Sequence, residues 1–106
     1  ANWHALKARE KGRESVTDGI PRTLPSLVYA GKVLARSAAL ADRLPELPAR
    51  PEAALLDEAL SSEEAFGDFL LALVSEARDR GLDAETAVRA AARRRVRAIR
   101  GVEGLA

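Results

Sequence analysis

The chain is 106 residues long, 47% hydrophobic and 31% charged with only 4% aromatics, so it reads as one domain, residues 1–106, of a helical protein rich in Ala, Leu and Arg. It has no cysteine, which excludes a disulfide framework, a thiolate metal site and a cysteine nucleophile. No apolar run approaches the roughly 20 residues that cross a bilayer, and no charged-then-apolar leader opens the chain; the expectation is a soluble, cytoplasmic protein without membrane contact.

The first residue, Ala1, is expected of a processed or trimmed chain or of a piece of a longer one. Seventeen basic side chains nearly balance sixteen acidic ones, yet they are unevenly spread. Residues 1–44 carry eight basic and four acidic groups, residues 45–79 two and nine, and residues 80–106 seven and three. An acidic middle between basic flanks fits either helices that face one another or water, or a divalent-cation site with arginines near a phosphate.

In chain order, Asn2 is placed to cap a short helix over residues 3–11 that Gly12 ends, with Trp3 and Leu6 as its apolar face. His4, the lone histidine, is given no role. Residues 12–24, with Gly12, Asp18, Gly19 and Pro21, read as an ordered loop. Thr23 is then the expected cap of a long helix reaching about Asp42, with Pro25 in its first turn. Leu24, Leu27, Val28, Gly31, Leu34, Ala35 and Ala38 recur at spacings of three and four and predict its buried stripe.

Pro45, Pro48 and Pro51 break the chain before a short helix over residues 52–60, with Ala54, Leu55 and Ala59 inward and Leu56 as a further candidate. The next helix fits a capping box with Ser61 at the cap and Glu64 at the third helical position. It carries Phe66, Phe69, Leu70, Leu73, Val74 and Ala77 on one face. Asp68 interrupts this apolar run, where an unpaired charge is costly to desolvate, and Glu64 lies one turn before it. Gly81 ends this helix and Asp83 caps a last one over about Ala84 to Arg100. Its expected inward set is Ala87, Val88, Ala91, Ala92, Ile99 and Val102. Arg89, Arg93, Arg94, Arg95, Arg97 and Arg100 fill most of the remainder, so some are expected to pair with the acidic middle. No stretch alternates at period two, so the fold class is all-α.

The stretches Asn2-Trp3-His4-Ala5-Leu6-Lys7-Ala8-Arg9-Glu10-Lys11, Asp18-Gly19-Ile20-Pro21-Arg22-Thr23-Leu24-Pro25-Ser26-Leu27 and Gly67-Asp68-Phe69-Leu70-Leu71-Ala72-Leu73-Val74, with a basic last helix ending Val102-Glu103, resemble the C-terminal domain of the MazG family of nucleoside triphosphate pyrophosphohydrolases. The likeness covers almost the whole chain in the same order. It implies a bundle of four main helices plus a short N-terminal one, completed by homodimerisation. It also implies hydrolysis of a nucleoside triphosphate to the monophosphate and pyrophosphate with Mg²⁺. Such enzymes use a Glu-Glu-x-x-Glu group on one helix and Glu-x-x-Asp on the next, a spacing that sets carboxylates on one face to hold hard cations.

Carried onto this chain, the family pattern makes Asp68, Glu64, Asp57 and Glu58 the metal-ligand candidates and Arg94 the phosphate-binding one. The sequence departs from the pattern at several places. Ala65 stands three before Asp68 where a glutamate belongs, Asp57-Glu58-Ala59-Leu60-Ser61 is the nearest remnant of the upstream group, and Ala41-Asp42-Arg43-Leu44-Pro45 replaces a Gly-Phe-Asp-Trp. The family's asparagine and lysine fall on Ala92 and Arg94. These departures favour a catalytically weak or inactive copy that serves dimerisation or regulation, with a catalytic MazG domain in the same chain. The alternatives are an active pyrophosphohydrolase using rearranged carboxylates, and nucleic-acid binding through the arginine-rich last helix.

Overall fold

The computed structural model describes residues 14–105. The expected helix over residues 3–11, its Asn2 cap and its Gly12 stop lie outside the described residues, as does His4. Among the described residues the secondary structure is helical, with no strand: α1 (Ser26–Ser37), a 3-10 segment (Ala38–Arg43), α2 (Ala53–Ala59), α3 (Glu63–Asp79) and α4 (Ala84–Val102). The all-α class follows. These residues divide into two compact units, one made of the chain up to Glu46 together with that from Glu85 onward, the other Leu47–Ala84.

The first unit holds the core. Val16 and Ile20 from the leading loop, Tyr29 and Val33 from α1, Leu40, Leu44, and Ala92 and Ile99 from α4 are buried together, with Leu24, Ala30, Val96, Ala98 and Val102 packed against them. Ile99 and Val33 are essentially inaccessible. Helix α1 turns a different face inward from the one its hydropathy predicts. Ser26, Tyr29, Val33 and Ser37 are its buried residues, whereas Leu27, Val28 and Leu34 of the predicted stripe are exposed. Gly31, Ala35 and Ala38 are exposed as well, and of that set only Leu24 packs against the core. The inward row therefore contains two serines, whose polar groups are hydrogen-bonded and so cost little to bury: Ser37 Oγ donates locally, to the Leu34 carbonyl at 3.1 Å.

The start of α1 also differs. Pro25 occupies the cap position and no side chain of its own neighbourhood serves it. The carboxylate of Glu85 on α4 accepts from the Ser26 N–H at 3.1 Å instead, so a free first-turn donor is met from 59 residues away rather than by Thr23. Along α4, Ala92 and Ile99 are buried as expected, while Ala87 and Ala91 are exposed and Val96 joins the core in their place.

The loop before α1 is ordered by side chains. The Asp18 carboxylate accepts from the N–H groups of Glu14 and Ser15 at 2.9 and 3.0 Å. Arg36 Nη1 donates to the carbonyls of Val16 and Asp18 at 2.9 and 3.1 Å. Beyond the end of α4, Glu103 accepts from Ser15 Oγ at 2.7 Å and from the Val16 N–H at 2.9 Å. Residues nearly 90 apart in sequence are thereby tied, and the buried Ser15 is satisfied.

The second unit is the pair α2 and α3. Ala59 is its buried apolar residue; Ala54 and Leu55, expected inward, are exposed. Helix α3 starts one residue later than the capping-box reading: Ser62 is the cap and accepts from the Ala65 N–H at 3.0 Å. Ser61 Oγ instead donates to the Glu58 carbonyl at the end of α2, at 2.8 Å. At the other end Gly81, at φ 74°, carries the left-handed turn. There the Leu82 N–H bonds to the Ala77 carbonyl at 2.8 Å and the Gly81 N–H to Arg78 at 3.0 Å, a Schellman closure. In all seventeen residues of α3 none is buried.

Candidate functional site

Two charged surfaces are built by these elements. The first is the carboxylate set. Asp57 and Glu58 are neighbours on α2 and project about 100° apart around its axis. Glu64 and Asp68 sit one turn apart on α3 and share a face. With the cap moved to Ser62, the third helical position is Ala65 and Glu64 has no part in closing the helix. All four side chains are exposed. Asp68 therefore escapes the desolvation expected of it in an apolar run, because that run is itself largely open: Phe66, Leu71, Leu73 and Val74 are all more than 40% exposed.

Magnesium, implied by the family resemblance, needs several oxygen ligands brought to one point. Among the described residues no group of three Asp, Glu or His side chains is placed to hold a metal ion. The carboxylates of the described residues are therefore not assembled into a magnesium site.

The second surface is the arginine row of α4. Arg89, Arg95 and Arg100 are tied into their own unit. Arg89 Nη1 and Nη2 donate to the carbonyls of Arg22 and Leu24 at 2.9 and 2.6 Å, and Nη2 also pairs with Glu85 at 2.9 Å. Its guanidinium lies 5.8 Å from the Tyr29 ring centre. Arg95 donates to the Pro45 carbonyl, and Arg100 lies 3.8 Å from Asp18. Within this unit these bonds engage three of the six arginines of the helix. The hydrogen bond from Ser26 first, and then that from Arg89, holds the Glu85 carboxyl below its ordinary range.

Arg93, Arg94 and Arg97 remain exposed, and none has a carboxylate partner among the described residues. With Glu85, Thr86, Arg89 and Ala90 they line a cleft of about 330 Å³. Arg94, the phosphate-binding candidate, thus stands between two further arginines that sequence reasoning left without a role. Their i, i+1, i+4 spacing was the available signal. The i, i+4 pair of Glu85 with Arg89 is readable along the helix, but the capping of α1 by Glu85 carries no local signal, because Ser26 lies 59 residues away.

Fold and surfaces together define an all-α protein with an exposed acidic helix pair in one unit and, in the other, a cleft whose Arg93, Arg94 and Arg97 have no carboxylate partner among the described residues. The chain is 32% identical over 97% of its length to the nucleoside triphosphate pyrophosphohydrolase of Escherichia coli K12 and equally to that of Escherichia coli O157:H7. It is 36% identical over 98% of its length to an uncharacterized 26.1 kDa protein of Streptomyces cacaoi. It spans 45% of each Escherichia coli protein and 38% of the Streptomyces one, so less than half the length of the curated relatives it matches. No family model matches the chain. No solved structure matches it. The chain is a relative of the MazG-family nucleoside triphosphate pyrophosphohydrolases and belongs with that family across nearly all its residues.

The alignments differ in compactness. That to the Escherichia coli protein covers 120 positions, although 97% of 106 residues is about 103, so at least about 17 positions of the relative face no residue here. The Streptomyces alignment covers 105 positions against about 104 residues, so nearly every position of it holds a residue of this chain.

Proposed function

We propose that this chain is a MazG-family domain that forms a homodimer and has little or no pyrophosphohydrolase activity of its own, serving dimerisation or regulation beside a catalytic MazG domain of the same protein. The carrying observation is α3: seventeen residues long, amphipathic, and without one buried side chain. Leu71 is 68% and Leu73 51% exposed, and burying such side chains against a second copy is favourable by about 1.5 kcal/mol or more apiece. The unassembled carboxylates and the shortening relative to the Escherichia coli pyrophosphohydrolase support weak chemistry. The nucleoside triphosphate remains the substrate class the family name supplies, and Mg²⁺ the metal a hydrolysing copy would use.

Sedimentation equilibrium combined with magnesium titration calorimetry tests this reading. A dimer that Leu71→Glu/Val74→Glu converts to monomer, with no tight magnesium binding, is the expected result. A monomeric wild-type chain that binds magnesium tightly contradicts it.

A further inference from the structure

Pro45, Pro48 and Pro51 stand at every third position, and neither dimerisation nor hydrolysis uses them. Three residues is the repeat of the left-handed polyproline II helix, so their rings recur along one edge of such a helix. Leu44, Leu47 and Arg50 each precede a proline, which disfavours helical backbone at those positions, and each proline fixes its own φ near about −65°. Residues 45–52 lie in no helix and are all exposed. The backbone enters them from Leu44 at φ −99°, ψ 154° and leaves through Glu52 at φ −54°, ψ 143°, on either side of the polyproline II values of about −75° and 145°.

We propose that this strap is a docking element for a second protein, a folded module with an aromatic-lined groove and an acidic rim that reads residues 47–51 as a polyproline II ligand. Those five residues belong to the second unit. Pro48 and Pro51 share one edge, and Leu47 and Arg50, also three apart, share the next. Leu47 is 51% exposed, and Arg50 is exposed. Proline rings and a leucine side chain fill the spaces between the aromatic rings of such a groove. The Arg50 guanidinium supplies a planar fork for a carboxylate of the rim. Glu46, Ala49 and Glu52 fall on the third edge, about 120° round from either of the others, so the two acids of the strap are left in water rather than set against an acidic rim.

The strap is held at both ends. Leu44 is buried in the core of the first unit, Arg95 donates to the Pro45 carbonyl, and α2 begins at Ala53. A segment already extended and stiff loses little further freedom on docking, which is how a short ligand with few contacts binds. A proline-rich spacer asks for stiffness alone and gives no reason for a leucine just before Pro48 and an arginine just before Pro51. The docking does not rest on self-association, which is assigned to α3.

Titration calorimetry of the full chain against a panel of purified SH3 and WW domains, whose grooves are aromatic-lined, is the test. At least one domain with an acidic rim is expected to bind. Its affinity is expected to fall at least about tenfold in Pro48→Ala/Pro51→Ala and likewise in Arg50→Glu, while Ala49→Gln, on the third edge, leaves it unchanged. Circular dichroism checks that each variant keeps its helices; Arg50→Glu changes no proline, so it decides the matter should the proline variant fail to fold. Binding by none of the domains, full affinity in a folded Arg50→Glu variant, or equal loss in Ala49→Gln overturns the proposal and leaves the strap a spacer.

Discussion

Glu103 offers the sharpest test of how the first unit is held together. Its two carboxylate oxygens accept from the buried Ser15 hydroxyl at 2.7 Å and from the Val16 N–H at 2.9 Å, and both partners are almost wholly removed from water. A hydrogen bond to a charged group contributes about 1.5–3 kcal/mol, and removing one partner leaves the other desolvated. Ser15 Oγ keeps Thr17 Oγ1 at 2.9 Å, so part of the loss is offset. Glu103→Ala is therefore expected to destabilise by about 2–4 kcal/mol, while Glu103→Gln, which keeps one acceptor oxygen, loses less. Urea unfolding followed by circular dichroism measures this, with a shifted midpoint at unchanged slope. A double-mutant cycle with Ser15→Ala isolates the bond and is expected to give a coupling of about 1 kcal/mol or more. Destabilisation by Glu103→Ala within about 0.5 kcal/mol, the range of an ordinary surface change, or no coupling to Ser15, refutes the reasoning.

Two further predictions concern the same unit. Because Ser26 and Arg89 hold Glu85 below its ordinary range, its stabilisation is fully present above the usual glutamate value and is lost as pH falls through the lowered folded value. The stability gap between wild type and Glu85→Gln should thus close on acidification, and a gap that widens instead would show the linkage to be wrong. For α1, Val33→Ala, at a 1% exposed position, is expected to cost about 1–3 kcal/mol, whereas Leu27→Ala, at 62% exposure, stays within about 0.5 kcal/mol. Equal losses in thermal unfolding would mean that α1 presents its other face to the core.

Much of the helical order is legible in local chemistry. Gly81 and the proline-rich break mark their boundaries because glycine in a left-handed turn and proline in a chain break act through their own backbone. The inward face of α1 is not legible that way. Hydropathy favours the leucine row, yet the buried row includes Ser26 and Ser37, whose polar atoms are met by Glu85 and by a neighbouring carbonyl. Nothing in the surrounding residues announces that Glu85, 59 positions away, caps α1. The capping box fails by one residue for a related reason: Ser61 and Ser62 are equivalent as letters, and the end of α2 takes the first, leaving the second for α3. The candidate carboxylates are identifiable as residue types at helical spacing. Whether they converge depends on packing between helices, which spacing along one helix does not encode.

The proposal that this MazG-family domain has little or no pyrophosphohydrolase activity of its own is tested most directly by pyrophosphate release. Purified chain incubated with the common nucleoside and deoxynucleoside triphosphates and magnesium is predicted to release none above a blank, with Asp68→Ala unchanged. Release well above the blank that Asp68→Ala abolishes would contradict it.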